Sequence, residues 1–326
     1  MKAAILYKSG DVPQYGDIEA PKVNKENEKL VKVKAVAIKN LDKARVNGKH
    51  YASYTVFPTT VGVDGVGILE DGSRVYANGI TGMLAEQAII GSEFTPVPPN
   101  LDDVMAAALP NAVLGSAMPL LIRAKLQAGQ NVLFNGATGV TGQIAVQIAK
   151  HYGANEVIVT GRNANQLKKL LEFGATQVID LKASDEEIQQ EILKIQKEKG
   201  IDIIIDYLWG KPISLLLSTL SGKGIDYKGK SIKVVTAGDM AGKEISLSSA
   251  ILRSTDIQIL GSGFGSLSKE ELIVFNKMIL PEIYSLAAAK KVSMDTVVYP
   301  LNQIEEIWTK PIEAGKRLVI TIDNEI

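Results

Sequence analysis

Six short apolar runs in the middle of the chain constrain its fold more than any other feature. They are NVLFN (131–135), EVIVT (156–160), QVID (177–180), IDIIID (201–206), IKVVT (232–236) and IQILG (257–261). Helical patterns lie between most of them. Residues 185–199 show this best, with Ile188, Ile192 and Ile195 on one stripe and Glu, Gln and Lys around it. Strands that are apolar throughout and alternate with amphipathic helices must be covered on both faces. The fold class this predicts is α/β, with a doubly wound parallel sheet.

The flanking segments follow another pattern. LVKVKAVAI (30–38) alternates, with Val31, Val33, Ala35 and Ala37 on one side and Lys32 and Lys34 on the other, as a half-buried strand does. VGILEDGSRVYA (66–77) is a hairpin pattern whose Asp71-Gly72 pair supplies the tight turn. The uncharged stretch 104–122 is long enough to span a membrane, but Pro110, Asn111 and Pro119 make it a poor span, and a buried, interrupted helix is expected. After Gly265 come a helical stretch (269–290), a short helix (304–308) and a last strand, RLVITI (317–322). That tail cannot form a core alone. It is expected to return to the mostly β domain, so that residues 1–115 and 264–326 form one domain and 116–263, the nucleotide domain, is inserted between them.

Composition removes several functions. Thirty-six basic residues balance thirty-six acidic ones, which leaves no electrostatic footprint for nucleic acid or an anionic membrane. With no cysteine and only His50 and His151, no metal site is expected, and disulfides, iron–sulfur clusters and a thiol nucleophile are excluded. The first ten residues do not read as a signal peptide, and the expected location is cytoplasmic.

The chemistry concentrates in NVLFNGATGVTGQIAVQIAK (131–150), an apolar strand, a turn with Gly136, Gly139 and Gly142, and an amphipathic helix. From Ala137 the turn reads A-x-G-x-x-G, a dinucleotide fingerprint. Gly139 lets the backbone approach a pyrophosphate, Gly142 lets helix and strand pack closely, and the amides of Thr138, Val140 and Thr141 lie at a helix N-terminus suited to phosphate. An NAD site usually carries an acid at the end of the following strand. Here the residues are Gly161, Arg162 and Asn163, and the Arg162 guanidinium suits a 2′-phosphate, so NADP(H) is the expected cofactor.

Two other motifs lack their context. GIDYKGKS (224–231) fits a phosphate-binding loop by letter, but the β-rich IKVVT follows it where that motif needs a helix. YLWGK (207–211) imitates a Tyr-x-x-x-Lys pair, but Gly210 and Pro212 argue against the helix such a pair requires.

The order of parts resembles the medium-chain dehydrogenase/reductase superfamily, zinc-free quinone oxidoreductase branch. The stretches that carry the resemblance are 61–76, 96–112, 126–154, GSGFG (261–265), YPLNQIEE (299–306) and GKRLVITI (315–322), nearly the whole length. Val63-Asp64 stands where zinc members carry His-Glu. The resemblance implies a GroES-like β domain beside the Rossmann domain, a homodimer, and NADPH-dependent hydride transfer to a small-molecule quinone or α,β-unsaturated carbonyl. A low-turnover NADP(H) sensor or structural protein and a zinc-free alcohol or sugar dehydrogenase are the alternatives. It places nicotinamide contacts at Tyr207, Ala237, Gly238, Gly263 and Phe264. Substrate-side donors fall in KNLDKARVNGKHYASY (39–54), where Tyr51 leads and Lys39, Arg45 and Tyr54 follow. Lys39 occupies a position where asparagine is common in the branch, and Asp64 reads as a structural hydrogen-bonding residue.

Overall fold

A computed structural model describes residues 1–221 and 231–322 of the 326. The GIDYKGKS motif therefore lies outside the described residues, except for Ser231. The chain begins with strands β1 (Lys2–Leu6), β2 (Gln14–Asp17) and β3 (Lys29–Ile38), helix α1 (Asn40–Val46), then β4 (Thr59–Thr60), β5 (Asp64–Leu69), β6 (Arg74–Asn78), β7 (Gln87–Ile90) and β8 (Thr95–Pro96). Helix α2 (Asp103–Ala117) follows. Next come β9 (Val132–Asn135), α3 (Val140–His151), β10 (Val157–Gly161), α4 (Ala164–Glu172), β11 (Gln177–Asp180), α5 (Asp185–Glu198), β12 (Ile203–Asp206), α6 (Gly210–Leu220), β13 (Ile232–Thr236), α7 (Ser249–Ser254) and β14 (Ile257–Gly261). The chain closes with α8 (Lys269–Val274), α9 (Leu280–Ala288), β15 (Asp295–Pro300), α10 (Ile304–Trp308) and β16 (Lys316–Thr321).

These elements form two compact units, Met1–Asn111 with Val274–Ile326, and Ala112–Ile273. In the first, a seven-stranded sheet runs β15-β16-β3-β5-β6-β8, with β7 also on β3, beside a smaller β2-β1-β4 sheet. The C-terminal strand β16 pairs antiparallel with β3, Leu318 opposite Ile38 and Ile320 opposite Val36. This register makes β3 a central strand. From Ala35 to Ile38 it is therefore buried on both faces, and the alternation read in its sequence holds only for its first half. The hairpin forms between β5 and β6, where Gly72 takes φ +83° and the Ser73 N–H donates to Asp71. Leu6, Val33, Val61, Met83, Ile304, Trp308 and Ile320 belong to this unit's core.

The second unit is a six-stranded parallel sheet, β11-β10-β9-β12-β13-β14. Its apolar strands and the inward stripes of α5 and α6 form one cluster that includes Leu133, Ile158, Ile192, Ile204, Ile213 and Val234. Ser184 caps α5 in a reciprocal box with Glu187, which sets the start of the helix whose stripe the sequence shows.

The buried, interrupted helix expected over 104–122 is present, and of the two proline readings only that of Pro212 needs correction. Pro110 sits inside α2 without ending it, and the irregularity comes later, at a wide turn over Met118–Arg123 that Pro119 opens. The span Asp103–Arg123 is long and apolar enough to cross a membrane, but two thirds of its apolar stretch is buried in the protein. At the other site α6 does begin at Gly210, and Pro212 falls in its first turn, where a missing N–H has no cost.

Candidate functional site

In a parallel sheet all strand carboxyl ends lie on one edge. The register places Asp206 beside both Asn135 and Thr236, Thr236 beside Gly261, and Gly161 beside Asp180. After β9 the chain winds one way to β10 and β11, whereas β12, β13 and β14 continue on the other side. The gap outside the β9 carboxyl end is thus the switch point where such sheets bind ligands.

The glycine turn sits at that gap. Gly136 takes φ +88°, and a side chain there would run into Leu208. Gly142 brings α3 against Ala137 so closely that an added Cβ would overlap the Ala137 carbonyl. Gly139 differs, since its Cβ would meet nothing. It starts α3 with no side-chain cap, so the amides of Val140 and Thr141 carry no intrahelical bond. Ala137 is buried and its N–H bonds to the Thr160 carbonyl. The Thr138 side chain fills the place of a Cβ on Gly161. Gly139 is thus an open glycine among packed ones, leaving bare backbone with room beside it.

Beyond β10 an open depression of about 330 Å³ is lined by Arg162, Asn163, Ala164, Asn165 and Lys182. Asn163 caps α4 by accepting the Gln166 N–H. Neither Arg162 nor Lys182 forms an ion pair among the described residues. Lys182 was missed by sequence reasoning. It follows β11, and only the pairing of that strand with β10 brings it beside Arg162.

A buried hydrogen-bond chain ties the loops at this edge together. Thr160 accepts the Gly136 N–H and donates to the Asn135 side-chain oxygen at 2.7 Å, and the Asn135 amide donates to Asp206 at 2.7 Å. Asp206 also accepts the N–H groups of Leu208 and Trp209. Burial holds its carboxyl above the ordinary carboxylate range against these donors. Trp209 takes φ +52°, a conformation that disfavours a bulky residue, and its bond to Asp206 helps to hold it there. Its ring packs against the core of the second unit. Asp206→Asn puts an amide N–H against the Trp209 N–H, and we expect a loss of about 2 kcal/mol in unfolding free energy by denaturant titration. An unchanged midpoint would show that this chain carries no load.

The other expected cofactor residues are placed as follows. Tyr207 is buried, its phenol pushed up by burial and donating to the Gly115 carbonyl, while Lys211 pairs with Asp185 at 2.9 Å, so these two are not the pair their spacing imitates. The Ala237 N–H bonds to the Asp206 carbonyl, and Gly238 packs on the backbone of Tyr207. The Gly263 N–H bonds to Ser266, and Phe264 begins a short turn with about half its surface exposed.

In the first unit, Tyr51 stands 88% exposed with its ring 4.1 Å from that of His50. Arg45 donates to the Ala52 carbonyl and lies over the ring of Tyr54 at 4.7 Å. Burial raises the Tyr54 phenol to about 12, which makes it a reluctant acid at neutral pH. Lys39 is not the solvated side chain its residue type suggests, with only 2% of that side chain exposed. Its ammonium donates to the Ala37 carbonyl at 2.8 Å and Asp64 at 3.0 Å, and lies 3.2 Å from Asp42. Burial alone would lower its pKa, but Asp42 and Asp64 outweigh it, and the group stays charged. Its ammonium is thus spent on two hydrogen bonds and two ion pairs inside the protein, which leaves it poorly placed to serve a substrate.

A zinc centre does not fit these residues. The chain has no cysteine, no group of three or more His, Cys, Asp or Glu residues suited to a metal exists among the described residues, and the two buried carboxylates converge on an ammonium.

The family described as "Zinc-binding dehydrogenase" matches residues 140–278. A quinone oxidoreductase of Homo sapiens is 30% identical over 267 residues, 78% of this chain and 77% of the relative. The NADPH-dependent alkenal/one oxidoreductase of Arabidopsis thaliana chloroplasts is 34% identical over 191 residues, 50% of this chain and 47% of that one. Escherichia coli quinone oxidoreductase, solved in complex with NADPH, shares the fold with a TM-score of 0.79 at 22% identity, covering 99% of this chain and 100% of that one.

Proposed function

The chain belongs to the medium-chain dehydrogenase/reductase superfamily, quinone oxidoreductase branch, and from that premise we propose that it is an NADPH-dependent, zinc-independent reductase of quinones or α,β-unsaturated carbonyls. It is an oxidoreductase that uses a nicotinamide cofactor; the choice of NADPH and of substrate is our reading. The observation that carries the cofactor choice is the depression after β10, which offers Arg162 and Lys182 and no carboxylate. When bound, the nicotinamide supplies a hydride to the substrate.

The protein's own residues bind and orient. The open face at Gly139 and the amides of Val140 and Thr141 suit the pyrophosphate, Arg162 and Lys182 the 2′-phosphate, and Ala237, Gly238, Gly263 and Phe264 the nicotinamide end. Without a metal, charge that develops on the substrate oxygen is met by hydrogen-bond donors, and the proton comes from solvent or a tyrosine, for which the exposed Tyr51 is our candidate. Strand β14, outermost on its side of the sheet, offers an edge for a homodimer.

A panel of quinones, enones and aldehydes tests this reading by NADPH consumption at 340 nm in the presence of EDTA. We expect turnover with quinones or enones, undiminished by the chelator, and kcat/KM with NADPH roughly ten-fold or more above that with NADH. Tight NADPH binding without oxidation by any acceptor would overturn it, as would NADP⁺ reduction by alcohols alone.

A further inference from the structure

The family that matches this chain is named for zinc, yet the place where two of its carboxylates converge already holds a cation. Four oxygens surround the Lys39 ammonium: the Ala37 carbonyl, both oxygens of Asp64 and one of Asp42, all within 2.8 to 3.2 Å. The second Asp42 oxygen accepts the Val63 N–H, and the first also accepts the backbone N–H of Lys39. Both acids are buried. The guanidinium of Arg317, on neighbouring β16, acts on both, so two cations balance two anions.

We propose that Lys39 is a built-in cation that fills an oxygen cage and closes it to metal ions. Hard divalent ions take carboxylate and carbonyl oxygens of this type at about 2.0 to 2.6 Å, so a small inward movement of the same oxygens would suit a metal. The lysine holds the cage because it is tethered and its ammonium makes two hydrogen bonds and two ion pairs to the oxygens around it. A divalent ion added beside it would leave two uncompensated positive charges in the core, against one where the lysine is removed. Removing the lysine side chain leaves two acids against one guanidinium, and an open space. The proposal deepens the zinc-independent reading and rests on it only for its bearing on catalysis.

Manganese alone is the probe, since binding removes the electron paramagnetic resonance signal of the free ion. We expect Lys39→Ala to melt below the wild type, to bind one equivalent of Mn²⁺, and to gain about 5 °C in Tm at saturating ion. The wild type takes up none. Lys39→Ala/Asp64→Asn loses the uptake, which separates the cage from surface sites. Lys39→Asn, shorter than lysine and still polar, is the second variant where the alanine does not fold. Uptake by the wild type that Asp64→Asn abolishes overturns the proposal. So does a folded Lys39→Ala or Lys39→Asn that ignores Mn²⁺, or failure of both to fold even in millimolar Mn²⁺. None of these readouts uses turnover, so an enzyme that reduced no quinone would sink the functional reading and leave this one standing.

Discussion

Replacing Arg162 and Lys182 together by alanine weakens NADPH binding about 30-fold and leaves NADH within about two-fold. Each side chain is expected to make a charge-assisted bond to the 2′-phosphate, and such bonds reach about 1.5 to 3 kcal/mol when shielded. Here the depression is open and Arg162 is exposed, so solvent and salt reduce each contribution to about 1 kcal/mol. Two such losses combine to the stated factor, and either single variant loses roughly five-fold. Because the contacts are screened, the difference between wild type and double variant should shrink as salt is raised. The measurement is dinucleotide affinity by quenching of tryptophan fluorescence. Equal losses for NADPH and NADH would mean that the two cations shape the pocket without reading the phosphate, and the cofactor choice would fall.

How much of this was readable in advance depends on whether a feature is local. The apolar strands of the second unit were legible because strands buried on both faces need no partner's identity to reveal themselves. The glycine turn was legible because strand, turn and helix are contiguous, and Arg162 because it directly follows the next strand. Lys182 was not, since its place beside Arg162 exists only through the pairing of β10 with β11.

Lys39 shows the same limit more sharply. A lysine beside an asparagine at a helix start reads as surface, and Asp42, three residues on, as its ordinary neighbour. Asp64 lies 25 residues away and meets Lys39 only when β5 pairs with β3 in the observed register. Arg317 comes from the far end of the chain by way of β16. A sequence shows the charges of such a cluster but not their convergence. The Pro212 reading failed for a different reason. In sequence Pro212 reads as a helix breaker, whereas in the first turn of α6 it is well placed.

Gly142→Ala and Gly139→Ala, two identical changes three residues apart, should fail in opposite ways. At Gly142 the new Cβ overlaps the carbonyl and Cα of Ala137, backbone atoms that cannot step aside. Helix α3 must then move off the turn, and its buried face, with Ile144, Ala145 and Ile148, loses packing against the sheet. A forced shift of this kind in a packed core costs about 3 kcal/mol. The loss should register in the second unit. The chain has two tryptophans, Trp209 in that unit and Trp308 in the other, so a Trp308→Phe background lets Trp209 fluorescence report it alone. At Gly139 the methyl meets no protein atom, and the change removes only a tolerable N-cap, so Tm should move by no more than about 3 °C. Dinucleotide binding should nevertheless fall about ten-fold or more, because the methyl takes the ground where a pyrophosphate must approach the backbone. A Gly139→Ala protein that keeps both stability and affinity would remove the turn from the cofactor site. Loss of stability at Gly139 equal to that at Gly142 would mean that the open face is filled by the protein itself.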